Sequence, residues 1–386
     1  MSGERPLKAL LLAIDFPPAD GGIQTLLSDL AISLPDASVE VIAPSHPAAR
    51  EWDSRYPCRV RRVAPMPFGL AGYLIGLLAA AVVAGFQGRP DVIICGHIIL
   101  GPVAILLRQL FRRPIVTMVY AMEIRPRRVR GLATMLFAQS TRIVAISSFT
   151  ASEIGKYGVD PARVVVIPPG LRISTSPAAD AVAAYRRRLG IGNARAILTV
   201  SRLRERYKGH DTVLRALPIV AARVTDVVYL VAGHGPLRRY LEDLARSLNL
   251  GDRVRFLGKI PQEELPLLYA AADVFAMISR DSRIDHGVEG FGIVFLEANA
   301  AGRPTLGGRT GGVVDAILDH RTGLLVDSGD VLAVADRLVR LLEDHTLASR
   351  LGAQGRDWVR EEMGWEKLGV RYRDLLGTVV RQAHEA

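Results

Sequence analysis

Glu289 and Glu297 stand eight positions apart in GVEGFGIVFLEA (287–298), around a Gly-Phe-Gly turn and a short apolar run. Glycine-rich turns present backbone N–H groups to anions, whereas carboxylates repel anions. Were 289–297 one helix, the two side chains would sit about 80° apart around the axis and about 12 Å apart along it. They could not grip one small group. The segment therefore reads as a loop carrying Glu289, with Gly290 and Gly292 freeing backbone N–H groups at a helix start. Glu297 then falls one to two turns into that helix. A carboxylate accepts hydrogen bonds from sugar hydroxyls. A ligand with a sugar at one end, a ribose at the other and phosphates between would suit both residues. A lone glutamate is otherwise an exposed helix residue, but FGIVFLEANAAG is apolar, so Glu297 is expected to be buried and to need a partner.

Cations for such phosphates occur in TVSRLRERYKGHD (199–211), where Arg202 and Lys208 follow an apolar run and flank a helix entry. Two cations beside a helix N-terminus make a diphosphate site, although solvated surface charge is the commoner fate of Arg and Lys. In VAGHGPLRR, Gly233 and Gly235 end a strand and allow either close approach to a ligand or an ordinary tight turn. RTGGVVDAI places Gly311 and Gly312 before another helix, with the same two readings. FPPADGGIQTLL puts Gly21, Gly22 and Gln24 between the first strand and first helix, where backbone could meet a phosphate and Gln24 an acceptor. His97 follows DVIICG and is placed for the same site, although a hydrogen-bonded core or capping histidine is the first expectation.

These residues must be held by strands. LKALLLAID, ASVEVIAP, CRVRRVA, DVIICG, PIVTMVY, RIVAIS and VVVIPP form one series, and RAILTVS, VVYLVAG, VRFLG, VFAMIS, RPTLGG and GLLVD a second. Helix-length segments separate most of them, which implies parallel sheets with helices on both faces. The fold class is α/β, with two doubly wound Rossmann-like domains. The expected division is 1–172 together with the helix 365–386, and 173–364, with Pro168, Pro169, Gly170 and Pro177 breaking regular structure near the seam. Open parallel sheets bind ligands at the carboxyl ends of their strands, so two facing sheets would place the site in the cleft between them.

Two cysteines in 386 residues, with no CxxC pair, argue against a disulfide framework and fit a reducing cytoplasm. Residues 68–86 are 19 uncharged residues, close to a membrane span in length. A buried helix beneath a sheet is the first expectation; a span and partial insertion into one leaflet are the alternatives. Net charge is +10, and residues 1–172 carry 19 Lys+Arg against 12 Asp+Glu. A basic N-terminal half suggests an anionic partner: acidic lipid, a phosphorylated acceptor or nucleic acid. RPRRVR (125–130) is the densest basic cluster, equally readable as a solvated loop. No metal-ligand cluster or DxD motif is present, and the two aspartates of DSRID (281–285) are a poor substitute.

Taken together and in this order, the motifs resemble the retaining glycosyltransferases of family 4, which have the GT-B fold. The resemblance covers nearly the whole chain and is most specific in VSRLRERYKG, VAGHGP, the Glu–seven residues–Glu segment and GGRTGGVVDAI. It implies that Arg202 and Lys208, with Gly22, Gly311 and Gly312, hold a donor diphosphate. It implies that Glu289 with Gly290, Phe291 and Gly292 holds the donor sugar. Glu297 and Gly233 would hold the ribose, with Lys259 and Ile260 framing the base. Gly21, Gly22 and Gln24 would meet the acceptor, and the last helix would cross back onto the first domain. Many relatives carry His-Gly after the fifth strand; here TMVYAMEIRP has Tyr120 and Ala121, and Gly is usual at the second position. Tyr120, Glu123, His97 and Glu289 are the candidates for a catalytic role.

The implied reaction moves a sugar from a nucleotide diphosphate to an acceptor hydroxyl with retention, without a metal or cofactor. The nucleotide sugar is a co-substrate. RIDHGVEGFGIVFLEANAAG looks most like mannosyltransferases acting on phosphatidylinositol-type lipids, which favours GDP-mannose, a lipid-linked acceptor and peripheral attachment to an anionic membrane at its inner face. A UDP-sugar with a soluble acceptor is the alternative within the class. A nucleotide-sugar epimerase, or a nucleic-acid binder supported by charge alone, is the alternative outside it. The oligomeric state is not legible.

Overall fold

The computed structural model describes residues 6–64, 67, 69–173, 176–282 and 287–385. The chain divides into two compact units, Met1–Gly170 with Trp365–Ala386, and Leu171–Gly364. In the first, seven strands form one parallel sheet: β1 (Leu7–Leu12), β2 (Ala37–Pro44), β3 (Arg59–Val63), β4 (Val92–Cys95), β5 (Ile115–Val119), β6 (Arg142–Ala145) and β7 (Val164–Val166). Their order is β3-β2-β1-β4-β5-β6-β7. The helices are α1 (Gly22–Ser33), α2 (Ala49–Asp53), α3 (Gly69–Gly88), α4 (Gly101–Phe111), α5 (Arg130–Gln139) and α6 (Ser148–Gly155).

The second unit repeats the plan. Strands β8 (Arg195–Val200), β9 (Val227–Ala232), β10 (Val254–Gly258), β11 (Val274–Met277), β12 (Thr305–Gly308) and β13 (Gly323–Val326) run parallel in the order β10-β9-β8-β11-β12-β13. Its helices are α7 (Ala179–Arg188), α8 (His210–Ala221), α9 (Arg238–Ser247), α10 (Leu265–Ala271), α11 (Ile293–Ala300), α12 (Val313–Ala316), α13 (Val331–Glu343) and α14 (His345–Glu362). The last helix, α15 (Trp365–Glu385), belongs to the first unit and packs on α1 there.

Strands such as VIIC, IVTMV and VVYLVA are buried along their whole length. Helices on both faces leave no solvent side, so the sequence runs apolar instead of alternating. Each sheet reverses its winding once, at β1/β4 and at β8/β11. The carboxyl ends of those strands are the natural ligand edge of a doubly wound sheet. They carry the loop leading to Gly21, the Gly96-His97 turn, the Ser201–Gly209 loop and the loop ending at Gly292. The neighbouring β9 and β12 add Gly233–Gly235 and Arg309–Gly312.

One expectation is corrected. The apolar segment at 68–86, whose first residue lies outside the described set, forms α3 but is not a buried helix. Only 28% of its most apolar window is buried. Leu77, Ala81 and Ala84 join the sheet core, while Ile75, Val83 and Phe86 stand in solvent. A segment apolar on every side gives no periodic signal of which face is covered.

Candidate functional site

The second unit's edge is assembled from turns that seat in one another. Lys208 ends a short 3₁₀ turn (Arg206–Lys208) before α8. That turn is held from β11, since the Arg280 N–H donates to the Tyr207 carbonyl at 2.9 Å. The Arg280 guanidinium also makes two bonds to the Asp211 carboxylate, at 3.0 and 3.1 Å. Glu289 is fixed from β12: the Gly312 N–H donates to its carbonyl at 2.8 Å. Gly311 lies beneath it with φ +55°, and an added Cβ would come within 2.4 Å of the Glu289 carbonyl oxygen. These two anchors bring Lys208 Nζ to Glu289 Oε2 at 2.5 Å, with side-chain exposures of 14% and 12%. Burial alone would lower the Lys208 pKa, but the neighbouring Glu289 carboxylate outweighs it and holds the pKa above its ordinary value. The ammonium therefore stays charged.

Arg202 differs. Its side chain is 60% exposed and meets Glu205 at 3.3 Å. Glu205 was not singled out in the sequence, although its i,i+3 spacing from Arg202 was visible there. The two glutamates of the opening motif have separate partners. Glu289 takes Lys208, and Glu297, in the second turn of α11, accepts from the Tyr269 hydroxyl at 2.5 Å. Burial pushes the Glu297 pKa up against the opposing pull of that hydroxyl. Glu297 also walls a cavity of about 260 Å³ with Tyr269, Gln262, Leu265, Ala300 and Arg172. α11 begins at Ile293 with Gly292 before it, so its first amides lack helical partners. Phe291 is 2% exposed, which leaves its backbone, not its ring, for any ligand. Gly290 is half-buried beside it.

Gly233 has a packing reason of its own. A Cβ there would lie 1.8 Å from the Ser201 carbonyl oxygen, so the loop after β8 occupies its open side. Its N–H donates to the Gly258 carbonyl at 2.8 Å, next to exposed Lys259 and half-buried Ile260. Within the DSRID segment, residues 283–285 lie outside the described set. Among the described residues, no three His, Cys, Asp or Glu side chains gather as a metal-ligand set.

In the first unit, Gly21 caps α1 and Gly22 begins it, with the Gln24 side chain folded over Gly21. The preceding Pro-rich loop is clamped by residues the sequence did not flag. Arg62 donates to the Pro17 carbonyl at 2.6 Å, pairs with Asp53 and lies over the rings of Phe16 and Trp52. His97 accepts from the Ile99 N–H through Nδ1, capping a short turn after β4. Burial pulls its pKa down to about 4, so the ring is neutral near pH 7. Tyr120 is buried and its hydroxyl donates to the Gly96 carbonyl at 2.9 Å. Glu123 turns back to accept from the Tyr120 N–H at 2.6 Å. Burial raises the Glu123 pKa to about 7.

Ala121, between Tyr120 and Glu123, has φ 83° and ψ −57°. Positive φ is costly for a residue with a Cβ, and this region is that of a strained γ-turn. Ala121→Gly is expected to raise stability by about 1 kcal/mol, the relief of strain exceeding the added unfolded-state entropy. Urea unfolding of the two proteins measures it.

Residues 20–175 match the domain described as Glycosyltransferase Family 4, and residues 182–358 that described as Glycosyl transferases group 1. The chain belongs to glycosyltransferase family 4 and is a hexosyltransferase. It is 34% identical, over 95% of its length and 97% of the relative's, to the GDP-mannose-dependent alpha-(1-6)-phosphatidylinositol monomannoside mannosyltransferase of Mycolicibacterium smegmatis. It is 32% identical to the Mycobacterium tuberculosis protein of that name, over 96% of this chain and 98% of the relative. HepE of Anabaena, solved with UDP and glucose, superposes with a TM-score of 0.82 over 96% of this chain and 100% of its own, at 22% identity. The fold is that of the GT-B glycosyltransferases.

Proposed function

We propose that the protein transfers mannose from GDP-mannose to a hydroxyl of an inositol-containing, lipid-linked acceptor, with retention at the anomeric carbon and without a metal. The observation that carries the donor site is the buried Lys208–Glu289 pair at the ligand edge of the second sheet. The mannosyl donor and lipid acceptor rest on the names of relatives matched over nearly the whole chain.

Lys208 faces an acid in the free protein and would turn to the diphosphate when the donor arrives. Arg202 and the open amides of α11 would share that charge, with Gly311 and Gly312 lending backbone. Negative charge grows on the diphosphate as the sugar bond breaks, and fixed cations and dipoles stabilise it most at that moment. Glu289, relieved of part of its pairing, would accept from mannose hydroxyls. Glu297, oriented by Tyr269, would accept from the ribose, with Gly233, Lys259 and Ile260 towards the base. The acceptor attacks the face from which the diphosphate leaves, and a departing phosphate oxygen takes its proton. Tyr120, Glu123 and His97 shape the acceptor side and make no covalent bond. The reading places the enzyme in the cytoplasm, working at the inner face of the membrane.

A thermal-shift panel of nucleotides and nucleotide sugars tests the donor. GDP and GDP-mannose should raise Tm and UDP-sugars should not. A rise with UDP-glucose alone would replace the donor assignment.

A further inference from the structure

At the amino edge of the second sheet, opposite its ligand edge, four arginines gather beside one carboxylate, Asp273. Asp273 precedes β11, accepts from the Ala196 N–H at 2.8 Å and meets Arg186 and Arg195 at 3.5 and 3.4 Å. Arg186 also donates to the carbonyls of Gly192, Ala194 and Ala271, so its guanidinium is fully engaged. Arg195 donates to the His345 ring at 2.6 Å. The other two are less satisfied. Half-buried Arg303 donates through Nε to the Ala301 carbonyl at 3.3 Å, and among the described residues its terminal nitrogens meet no acceptor. Arg356 makes no hydrogen bond or ion pair among the described residues, and its Nη1 would lie 3.5 Å from a Cβ on Gly302. Burial pulls the Arg303 pKa below the ordinary guanidinium value, and Arg186 and Arg356 add to that against the pull of Asp273.

Against these groups lies a cavity of about 130 Å³, lined by Arg195, Asp273, Gly302, Arg303, His345 and Ser349 among others. It has room for a ligand of several atoms, not just one water. Helix α14 turns one stripe towards it, since His345, Ser349, Gly352 and Arg356 recur at helical spacing. Gly352 closes the packing, because a Cβ there would come within 2.1 Å of the Gly302 carbonyl oxygen. Two further carboxylates stand at the α13–α14 junction. Asp344 accepts from the Leu347 N–H at 2.9 Å, and Glu343 pairs with Arg223 at 2.9 Å. Asp273 is the acidic residue among those lining the cavity, and two arginines already hold it. Desolvated cations are ordinarily paired. Guanidinium groups in excess around a small cavity suit a phosphate group, whose oxygens match their planar forks.

We propose that this cavity binds a phosphate group, held by Arg303 and Arg195 with the Ser349 hydroxyl, and with Arg356 adding charge beside it. The site lies at the opposite ends of the strands from the donor site and stands whether or not the donor reading does. The Arg303 N–H donates to the Ala298 carbonyl at 2.9 Å, so an occupant braces the foot of α11, the helix that carries Glu297. The full chain is titrated with inorganic phosphate and with glycerol 3-phosphate in chloride buffer at constant ionic strength, and Tm is followed. A saturable rise is expected, and it should persist in Lys208→Ala, where the donor site has lost its cation. A stronger response to glycerol 3-phosphate assigns the site to a phosphomonoester, and an equal or weaker one to free phosphate. Arg303→Gln should weaken phosphate binding at least about tenfold without lowering Tm in phosphate-free buffer, whereas an arginine that serves only the fold would lower it. Ser349→Glu changes an exposed residue and sets a carboxylate at the cavity. It should raise Tm without phosphate and abolish the response, which keeps the test decisive if Arg303→Gln does not fold. No saturable rise in the wild type, or a rise lost in Lys208→Ala and kept in Arg303→Gln, would overturn the proposal. So would a Ser349→Glu protein that answers phosphate as the wild type does.

Discussion

Lys208→Ala is expected to destabilise the protein by about 3 kcal/mol and to weaken donor binding by about 30- to 1,000-fold. The two losses have different origins. Removing the ammonium leaves the Glu289 carboxylate at 12% exposure without its counter-ion, the costly way to break a buried pair. It also removes the cation assigned to the diphosphate. The double variant Lys208→Ala/Glu289→Gln separates them, because a neutral amide does not need the counter-ion. It should regain most of the stability and none of the affinity. Urea denaturation reads the first quantity and calorimetric titration with GDP the second. Full affinity in the double variant would show that Lys208 serves the fold alone. Arg202→Ala should cost less stability than Lys208→Ala, since Arg202 itself is 60% exposed although its partner Glu205 is 18% exposed, while still lowering affinity.

Stability should fall as pH rises from about 5 to about 7 through one group, Glu123. Its folded pKa of about 7 lies above that of an unfolded glutamate, so the native state holds the proton more tightly in this window. The contribution is fully present below the unfolded pKa and is lost as pH rises through 7. It amounts to roughly 3–4 kcal/mol. Buried His97 and His210 act oppositely: each has a pKa pulled down to about 4 by burial, so each adds stability as pH rises from about 4 to about 6.5. Glu123→Gln keeps an acceptor for the Tyr120 N–H and removes only the titration. The difference in unfolding free energy between wild type and Glu123→Gln, followed from pH 5 to 8, should change across that range. A difference that is flat with pH would show that Glu123 titrates normally.

Much of the architecture was legible because parallel strands buried on both faces must be written as short apolar runs, and VIIC and VVYLVA are such runs. The loops that carry chemistry were legible by position, since they follow those strands. Contacts between distant loops were not. Nothing in the local sequence pairs Lys208 with Glu289, 81 positions away, or Tyr269 with Glu297, 28 away. Glu297's need for a partner followed from its apolar surroundings, but the identity of the partner required the packing of α10 on α11. Gly233 shows the reverse limit: a glycine read for a ligand also serves the carbonyl of Ser201. Helix α3 misled for a physical reason, because its buried and exposed faces are written in the same residues. The Arg62 clamp on the Pro17 loop left no sequence signal, being one arginine of many in this chain.

Transfer of mannose to a lipid is directly measurable. The protein is incubated with GDP-mannose and vesicles containing phosphatidylinositol monomannoside, and the extracted lipid is examined by mass spectrometry and by NMR of the new anomeric centre. The expected product is a lipid one hexose heavier with the α configuration of the donor kept, with no such product from Lys208→Ala. An unmodified lipid beside consumed or epimerised GDP-mannose, or a β-linked product, would contradict it.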